Sequence, residues 1–289
     1  MRYVLAVAET KNFTRAAQQC FVVQSALSHQ IKALEKELGV ALFARTSRRV
    51  ELTAAGEAFL PHARACLEAA ERAATEAAAA MGQVRGRLAV GVVPTVTALD
   101  IPATLQVFTR AHPGGRVVWR VGRSDDLASA LRDGELDIAV LGLSEAPPPS
   151  GLQTRELARE RLVIVVGRQH PLAARSALTL ADLAQETFAD FPAGSPGRAQ
   201  SDEAFAAIGV TRQVAFEAMT PDQIIELVAA GLAIAFLPAA AVGSHKAVTT
   251  TAVTDGPMRV QYLAWRGFNP SPAATAFLRS IEENLDRPA

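Results

Sequence analysis

The chain has 289 residues, of which 49% are hydrophobic, so it is long enough for two or more domains with ample cores. Basic and acidic residues are balanced at 29 each. The two cysteines, Cys20 and Cys66, have no zinc-site spacing and do not favour a disulfide. No signal peptide and no apolar run of 18 residues is found, so we expect a soluble, cytoplasmic protein without a membrane span.

Residues 13–38 predict two short helices joined by a tight turn at residues 21–23. Thr14 is the candidate N-cap of the first helix. A small-residue face for close packing is formed by Ala16, Ala17 and Cys20. The second helix has one apolar stripe at helical spacing, made of Leu27, Ile31, Leu34 and Leu38. Its opposite face carries Ser25, Ser28, His29, Lys32 and Lys36, and taken alone this face is equally compatible with ordinary solvation.

The residues after this helix pair favour a function for the polar face. Leu42 and Phe43 would seal a small core, three arginines fall within residues 45–49, and residues 50–52 alternate like a strand. A helix pair followed by an arginine-tipped hairpin is a winged helix-turn-helix, whose second helix enters the DNA major groove while the wing meets the backbone or minor groove. The candidate DNA contacts are Thr14, Arg15, Gln24, Ser25, Ser28, His29, Lys32, Arg45, Arg48 and Arg49.

The order and density of these motifs resemble the LysR-type transcriptional regulators. The resemblance is carried by FTRAA at 13–17, QSALSHQI at 24–31, Leu34-Glu35, Leu38-Gly39, LFAR at 42–45 and LTAAG at 52–56. The chain departs from the family at Val23 and Ser25, where Ser or Thr and then Pro are usual. Because Val cannot cap a helix, its first amides need Ser25 or water as a partner. Met1 already falls inside the expected first helix, so either translation starts earlier or this helix is short.

Residues 54–81 are alanine-rich and predict one long helix with Thr53 as N-cap, kinked or interrupted at Pro61. Its apolar side carries Phe59, Ala63, Cys66, Leu67, Ala70 and Ala74. A helix of roughly 40 Å needs a partner for that side. The resemblance implies a dimerisation linker, and the alternative is a helix packed on its own body. It further implies a homodimer, with a homotetramer as the expected full assembly.

From residue 88 onward, strand and helix patterns alternate, which predicts an α/β fold with a mostly parallel sheet. The resemblance implies a two-lobed, periplasmic-binding-protein-like effector domain. The expected organisation is a winged helix-turn-helix at 1–53, a linker helix at 54–82, a hinge at 83–87, lobe I at 88–160 and 265–289, and lobe II at 161–264.

Loops at the carboxyl ends of the strands would face one another across a cleft, where open sheets bind ligands. The candidate effector contacts are Thr95, Val96, Thr97, Ser124, Leu143, Phe191, Pro192, Gly194, Ser195 and Thr220. Helix N-termini with free amides favour an anion, often a carboxylate. An apolar wall at Phe191 and Pro192 favours an aromatic or short aliphatic acid over a sugar. For each Ser and Thr the alternative is a plain N-cap role.

Other classes of function find little support in the sequence. The glycine pair at 194–197 lacks the lysine of a phosphate loop, and the five histidines show no metal spacing. The acidic pairs at 125–126 and 282–283 are typical of solvated helix faces. Peroxide-sensing members of the resembled family carry their reactive cysteines in the C-terminal body, where this chain has none, so thiol sensing is not expected. We expect no enzymatic activity, no metal and no cofactor.

The charge distribution agrees with this division of labour. Residues 1–87 hold twelve basic and eight acidic residues, a net charge of +4, so the remainder carries −4. The sequence therefore predicts a sequence-specific DNA-binding regulator whose DNA binding or promoter activation is modulated by a small-molecule effector, an organic anion by preference. Its expected partners are double-stranded DNA, further copies of itself, the effector and, as a further expectation, RNA polymerase.

Overall fold

The computed structural model describes residues 1–45, 50–81, 83–145, 147–267 and 270–285. The chain divides into two compact units, Met1–Gly82 and Gln83–Ala289, called here the N-terminal and C-terminal units.

The N-terminal unit is a helical bundle with a hairpin. Its elements are α1 (Arg2–Thr10), α2 (Phe13–Gln19), α3 (Gln24–Leu38), β1 (Phe43–Arg45), β2 (Val50–Leu52) and α4 (Ala54–Ala80). The strands pair antiparallel, and the residues between them, 46–49, lie outside the described part of the chain. The core includes the two alanines of α2 together with Leu27 and Ile31 of α3, all at most 2% exposed. Leu38, at the end of the predicted stripe, is 41% exposed, so the buried stripe of α3 is shorter than the sequence pattern.

The cap of α2 differs from the sequence prediction. Asn12, not Thr14, is the N-cap: its backbone is extended, and its side-chain oxygen accepts hydrogen bonds from Thr14 N at 2.9 Å and Arg15 N at 3.0 Å. An N-cap must precede the helix with an extended backbone, and Thr14 already lies inside it. Val23 precedes α3 without a side-chain cap, and Phe21 in the turn has a positive φ of 56°.

Helix α4 begins as predicted. The Thr53 hydroxyl accepts from Gly56 N at 3.0 Å and donates to Ala41 O at 2.7 Å, which ties the helix start to the segment before β1. Pro61 lies inside the helix and does not end it. Ala63 is fully buried, whereas the apolar side further along is exposed in the single chain at Cys66, Ala70 and Ala74.

The C-terminal unit contains two lobes with helices on both faces of their sheets. The first lobe contains β3 (Gly86–Val92), α5 (Ile101–Ala111), β4 (Gly115–Val121), α6 (Ser124–Arg132), β5 (Ile138–Leu143) and β6 (Gln153–Arg161). The second lobe contains β7 (Val163–Gly167), β8 (Ala177–Leu178), β9 (Thr187–Asp190), α7 (Pro196–Ala207), β10 (Gln213–Glu217), α8 (Pro221–Ala229), β11 (Ala235–Leu237), α9 (Ala239–Val242) and β12 (Val248–Val253). The chain then returns to the first lobe with β13 (Met258–Trp265) and α10 (Pro272–Leu285).

The sheets are mixed, which corrects the expectation of a mostly parallel sheet. The first lobe has the order β4-β3-β5-β13-β6, in which β3 is parallel to β4 and β5 while β13 is antiparallel to β5 and β6. The second lobe has the order β11-β7-β12-β8 and a separate parallel pair, β10-β9. Strand β7 pairs antiparallel with both of its neighbours.

Two of the expected boundaries also change. Residues 258–264 were expected in the second lobe, but β13 pairs along its whole length in the first sheet. A strand buried on both faces has the same apolar pattern in either sheet, so only its pairing assigns it. Two residues of the expected hinge at 83–87 belong to the first sheet, because Gly86 and Arg87 pair with Gly115 and Arg116.

Each lobe has an aromatic core. In the first lobe, Phe108 of α5 meets Phe277 of α10 edge to face at 5.6 Å. In the second lobe, Phe188, Phe205 and Phe236 contact one another, all at most 3% exposed. These rigid cores hold the loops that follow β3, β4, β9 and β10, and these loops line the candidate site.

Candidate functional site

The N-terminal unit presents a polar helix face. Of the predicted DNA contacts, Thr14 and Arg15 of α2 are exposed, as are Gln24, Ser25, His29 and Lys32 of α3, while Ser28 is half-buried. Arg45 ends β1, and Arg48 and Arg49 lie outside the described residues. Exposed hydroxyl, amide and cationic groups along one helix suit base edges and phosphates.

A contact that the sequence analysis missed joins α3 to the hairpin. The Glu35 carboxylate accepts hydrogen bonds from Leu42 N at 2.8 Å and Phe43 N at 3.2 Å. The Glu35 carboxylate therefore ties the start of the hairpin to α3, which sets the orientation of the hairpin relative to that helix. No periodicity signals such a bond, because it joins a helix side chain to the backbone of a loop.

A cavity of about 300 Å³ lies between the two lobes of the C-terminal unit. Six of the predicted effector contacts line it: Thr95, Ser124, Phe191, Pro192, Ser195 and Thr220. Most of the remaining wall is apolar, with Val93, Val121, Leu162, Met219, Phe236 and Leu237. A mainly apolar cavity with a few polar groups is the usual form of a small-molecule site.

The other four predicted contacts lie outside the cavity lining. Val96 and Leu143 pack against the first-lobe core, and the Gly194 carbonyl accepts from Arg123 Nη2 at 3.0 Å. The Thr97 hydroxyl accepts from Gln261 Nε2 at 2.6 Å, and the backbone N–H of Thr97 donates to Gln261 Oε1 at 3.0 Å. These groups are used in joining the loop after β3 to β13.

Three helices begin at the cavity. Ser124 is the first residue of α6, Ser195 caps α7 by accepting from Arg198 N at 3.3 Å, and Thr220 caps α8 by accepting from Gln223 N at 3.4 Å. The N-cap role weighed for Ser195 and Thr220 is thus present, although a hydroxyl that accepts can still donate. Ser124 both donates to and accepts from the backbone of Gly142, each at 3.0 Å, so it joins α6 to β5.

Two buried polar side chains of the cavity were missed. Arg259 of β13 is 2% exposed, and its Nη2 donates to Thr95 O at 2.6 Å and lies 3.5 Å from Glu160 Oε1. Burial lowers the pKa of Arg259 to about 10, against the opposing effect of Glu160, so the guanidinium stays charged at neutral pH. Gln200 of α7 is 4% exposed and has no hydrogen-bond partner for its amide among the described residues.

Neither residue carried a usable signal in the sequence. Arg259 lies in a mainly apolar strand that also contains the buried Gln261, and Gln200 lies in a helix of mixed polar and small residues beside the buried Ser201. Among the described residues, the cavity wall includes two arginines and no aspartate or glutamate. Positive helix ends and arginines in a wall without carboxylates give such a cavity a preference for anions.

The described residues lack two other kinds of feature. No cluster of three or more metal-ligating side chains occurs among them. No helix among them is long and apolar enough to cross a membrane.

Two family models together match nearly the whole chain. The model for the bacterial regulatory helix-turn-helix protein of the lysR family matches residues 1–57, and the LysR substrate binding domain matches residues 81–286. The chain is 34% identical to the HTH-type transcriptional regulator ShiR of Corynebacterium glutamicum, over 80% of this chain and 79% of that protein. It is 33% identical to the HTH-type transcriptional regulator IlvR of Caulobacter vibrioides, over 99% and 98%.

Solved structures agree with these matches over the full length. The chain resembles a full-length OxyR variant of Pseudomonas aeruginosa with a TM-score of 0.71 and 28% identity, covering 99% of this chain and 92% of that one. It resembles CbnR in complex with its target DNA with a TM-score of 0.67 and 28% identity, covering 98% and 97%. The chain therefore belongs to the LysR family: it is a DNA-binding transcriptional regulator with an effector-binding domain, and not an enzyme.

Proposed function

We propose that the protein reads its operator through α2, α3 and the wing, and that an organic anion in the interlobe cavity modulates DNA binding or promoter activation. The proposal that the effector is an anion rests on one observation: three helix starts and two arginines line a mainly apolar cavity in which no described residue is acidic. A bound anion would gain from fixed positive groups on both lobes, so it would favour one arrangement of the lobes over others.

The proposed DNA contacts are the exposed polar residues of the N-terminal unit together with the wing arginines. Gln24, Ser25, Ser28 and His29 lie in the first two turns of α3, where a recognition helix meets base edges. Thr14, Arg15 and the arginines at 45, 48 and 49 would contact phosphates, which position the protein without reading sequence.

The proposed assembly is a dimer through α4 that pairs into a tetramer. Past Leu67 the apolar side of α4 is exposed in the single chain, and a second α4 is the occupant that matches its length and small-residue surface. A two-fold dimer would place two copies of α3 on one face, to read a palindromic operator. We also expect the protein to act in the cytoplasm, and we expect contact with RNA polymerase if the protein activates transcription rather than represses it.

The DNA part is tested on the region upstream of the gene by footprinting and gel shift. Lys32→Ala should weaken specific binding by about 1–3 kcal/mol if a base contact is lost. If the contact is to a phosphate, the salt dependence should become shallower instead. Arg110→Ala removes the same charge from an exposed position of α5 in the C-terminal unit and is the control. Equal effects of the two substitutions would contradict the assignment.

The effector part is tested by titrating small carboxylates against the full-length protein, followed by thermal shift and footprint. Thr95 lines the cavity, and its hydroxyl has no hydrogen-bond partner among the described residues, so Thr95→Val changes little else. Loss of a hydrogen bond to a charged ligand should weaken binding by about 1.5–3 kcal/mol. Thr109→Val, on the exposed side of α5, is the control. An effector that acts equally on both variants would place the site elsewhere.

A further inference from the structure

We propose that Arg259, together with Gln200, anchors the carboxylate of the effector, and that the effector is a monocarboxylate with an uncharged, mainly apolar body. This inference rests on the proposed function of the interlobe cavity and names the group that would recognise the ligand.

The first step is the unsatisfied hydrogen-bonding capacity of Arg259. A guanidinium has five N–H donors, but the described residues accept only from Nη2. Nε is buried and has no partner among them. Buried arginine donors are normally paired, because an unpaired buried polar group costs free energy. A ligand acceptor at this wall of the cavity would supply the missing partner.

The second step is the weak neutralisation of its charge. Glu160 lies 3.5 Å from Nη2, beyond a good charge-assisted hydrogen bond, and its Oε1 also accepts from Gln261 Nε2 at 2.8 Å and Thr97 Oγ1 at 3.3 Å. The other cavity arginine differs: Arg123 contacts Asp125 at 2.6 Å and Asp126 at 3.8 Å. Of the two cavity arginines, Arg259 is therefore the one whose charge is less neutralised by neighbouring carboxylates.

The third step is the space around the guanidinium. A Cβ at Gly142 would lie 3.5 Å from Arg259 Nε and 3.7 Å from Cζ, so the guanidinium packs directly over this glycine of β5. The Ser124 hydroxyl donates to the Gly142 carbonyl and accepts from the Gly142 N–H, and these two hydrogen bonds hold Gly142 in place. Because glycine offers no side chain, β5 supplies no side-chain acceptor from this position, and the strand acts as a flat support for the arginine.

The fourth step is a second donor from the other lobe. Helix α7 packs against β5 and carries Gln200, which lines the same cavity. The first turn of α7 contains no acidic residue, unlike those of α6 and α8, so its positive end is not offset within the helix. A carboxylate between Arg259 and α7 would thus bridge the two lobes.

The other residues of the cavity wall indicate the chemistry of the part of the ligand beyond its carboxylate. Phe191, Phe236, Leu237 and Met219 are apolar, and the Ser195 and Thr220 hydroxyls already cap their own helices. One charged end and an apolar body match this distribution, because a second carboxylate would be desolvated against carbon.

The experiment compares acids with their neutral amides on the full-length protein. The probes are phenylacetate with phenylacetamide and hexanoate with hexanamide, plus adipate as a dicarboxylate, measured by calorimetric titration and thermal shift. The wild type should bind at least one of the two monocarboxylates about tenfold or more tightly than its amide. In Arg259→Gln this difference between acid and amide should disappear. In Arg123→Gln, which removes the same charge from the same cavity, it should persist.

Gln200→Leu supplies a second test that leaves the arginine intact. It should reduce the difference in affinity between each acid and its amide. If Arg259→Gln does not fold, the result for Gln200→Leu decides whether the anchor is correct. The proposal is overturned if neither monocarboxylate binds, if amides bind as well as acids, if the difference survives the decisive substitution, or if adipate binds best. An organic anion of another class, such as a dicarboxylate, whose effect on the footprint depends on Thr95 would overturn this anchor while leaving the proposed function standing.

Discussion

Arg212 offers the sharpest stability prediction, because it neutralises a buried carboxylate behind the cavity wall. Its Nη2 lies 2.6 Å from Asp190 Oδ2, and the two side chains are only 2% and 3% exposed. The guanidinium also stacks over the rings of Phe188 at 5.3 Å and Phe205 at 5.9 Å. Asp190 is connected to the cavity, since its other oxygen accepts from Phe191 N at 2.7 Å.

Arg212→Ala should lower the free energy of unfolding by about 3–5 kcal/mol, the usual cost of removing one member of a buried ion pair. The second partner, Asp202, is 46% exposed at its side chain, so Asp202→Ala should cost less than about 1 kcal/mol. The double substitution Arg212→Met with Asp190→Asn should cost less than Arg212→Ala, because it leaves no buried charge and keeps the acceptor for Phe191 N. Urea unfolding of the full-length protein, followed by far-UV circular dichroism, measures all three.

The same variant has a defined pH dependence. Burial raises the pKa of the Asp190 carboxyl, and Arg212 opposes this rise, so removing Arg212 raises the pKa further. A carboxyl whose pKa is higher in the folded state contributes stability at low pH that is lost as the pH rises through the folded pKa. The deficit of Arg212→Ala should therefore shrink between pH 8 and pH 5. A loss below about 1 kcal/mol, or a deficit that grows on acidification, would refute the reasoning.

Three further substitutions, two of them with a matched control variant, test the N-terminal unit. Asn12→Ala should cost about 1 kcal/mol in urea unfolding, and Thr14→Ala should cost clearly less, because only Asn12 caps α2; equal losses would contradict the cap. Gly56→Ala would bring a Cβ into collision with the backbone carbonyl oxygen of Leu42, so a loss of about 1–3 kcal/mol is expected, and an unchanged unfolding midpoint would argue against this close approach. Leu67→Glu should dissociate the oligomer in light scattering while Ala65→Glu, on the opposite side of α4, does not; a full oligomer would place the interface elsewhere.

Local features of the fold were predictable from the sequence because their causes lie within a few residues. The helix pair, the hairpin strands and α4 follow from short-range spacing, and the Thr53 cap is confirmed by its bond to Gly56 N. The wrong cap at Thr14 has the same local character. Asn12 lies two residues earlier, and both residue types are good caps, so the choice depends on which backbone becomes extended.

Pairing between distant strands was not predictable. The run at 260–265 reads as a strand, but its partners are residues 138–143 and 153–159, more than 100 residues away. Strands 153–161 and 248–253 lacked a clear pattern of their own and are held by neighbours in their sheets. Sheet order depends on which strands meet after collapse, and periodicity within a strand carries little information about that.

The sequence by itself determined the family, the winged helix-turn-helix of the N-terminal unit and the loops that approach the cleft, because motif spacing and helix starts are local properties. Only the tertiary structure decided which groups face the cavity. The side chain of Thr97 is hydrogen-bonded to Gln261, and that of Ser124 to Gly142. Arg259 joins the cavity wall from β13, where its guanidinium donates to the carbonyl of Thr95, 164 residues earlier in the chain. Whether a buried cation is paired or can bind a ligand depends on the acceptors around it, and those acceptors come together only when distant segments pack.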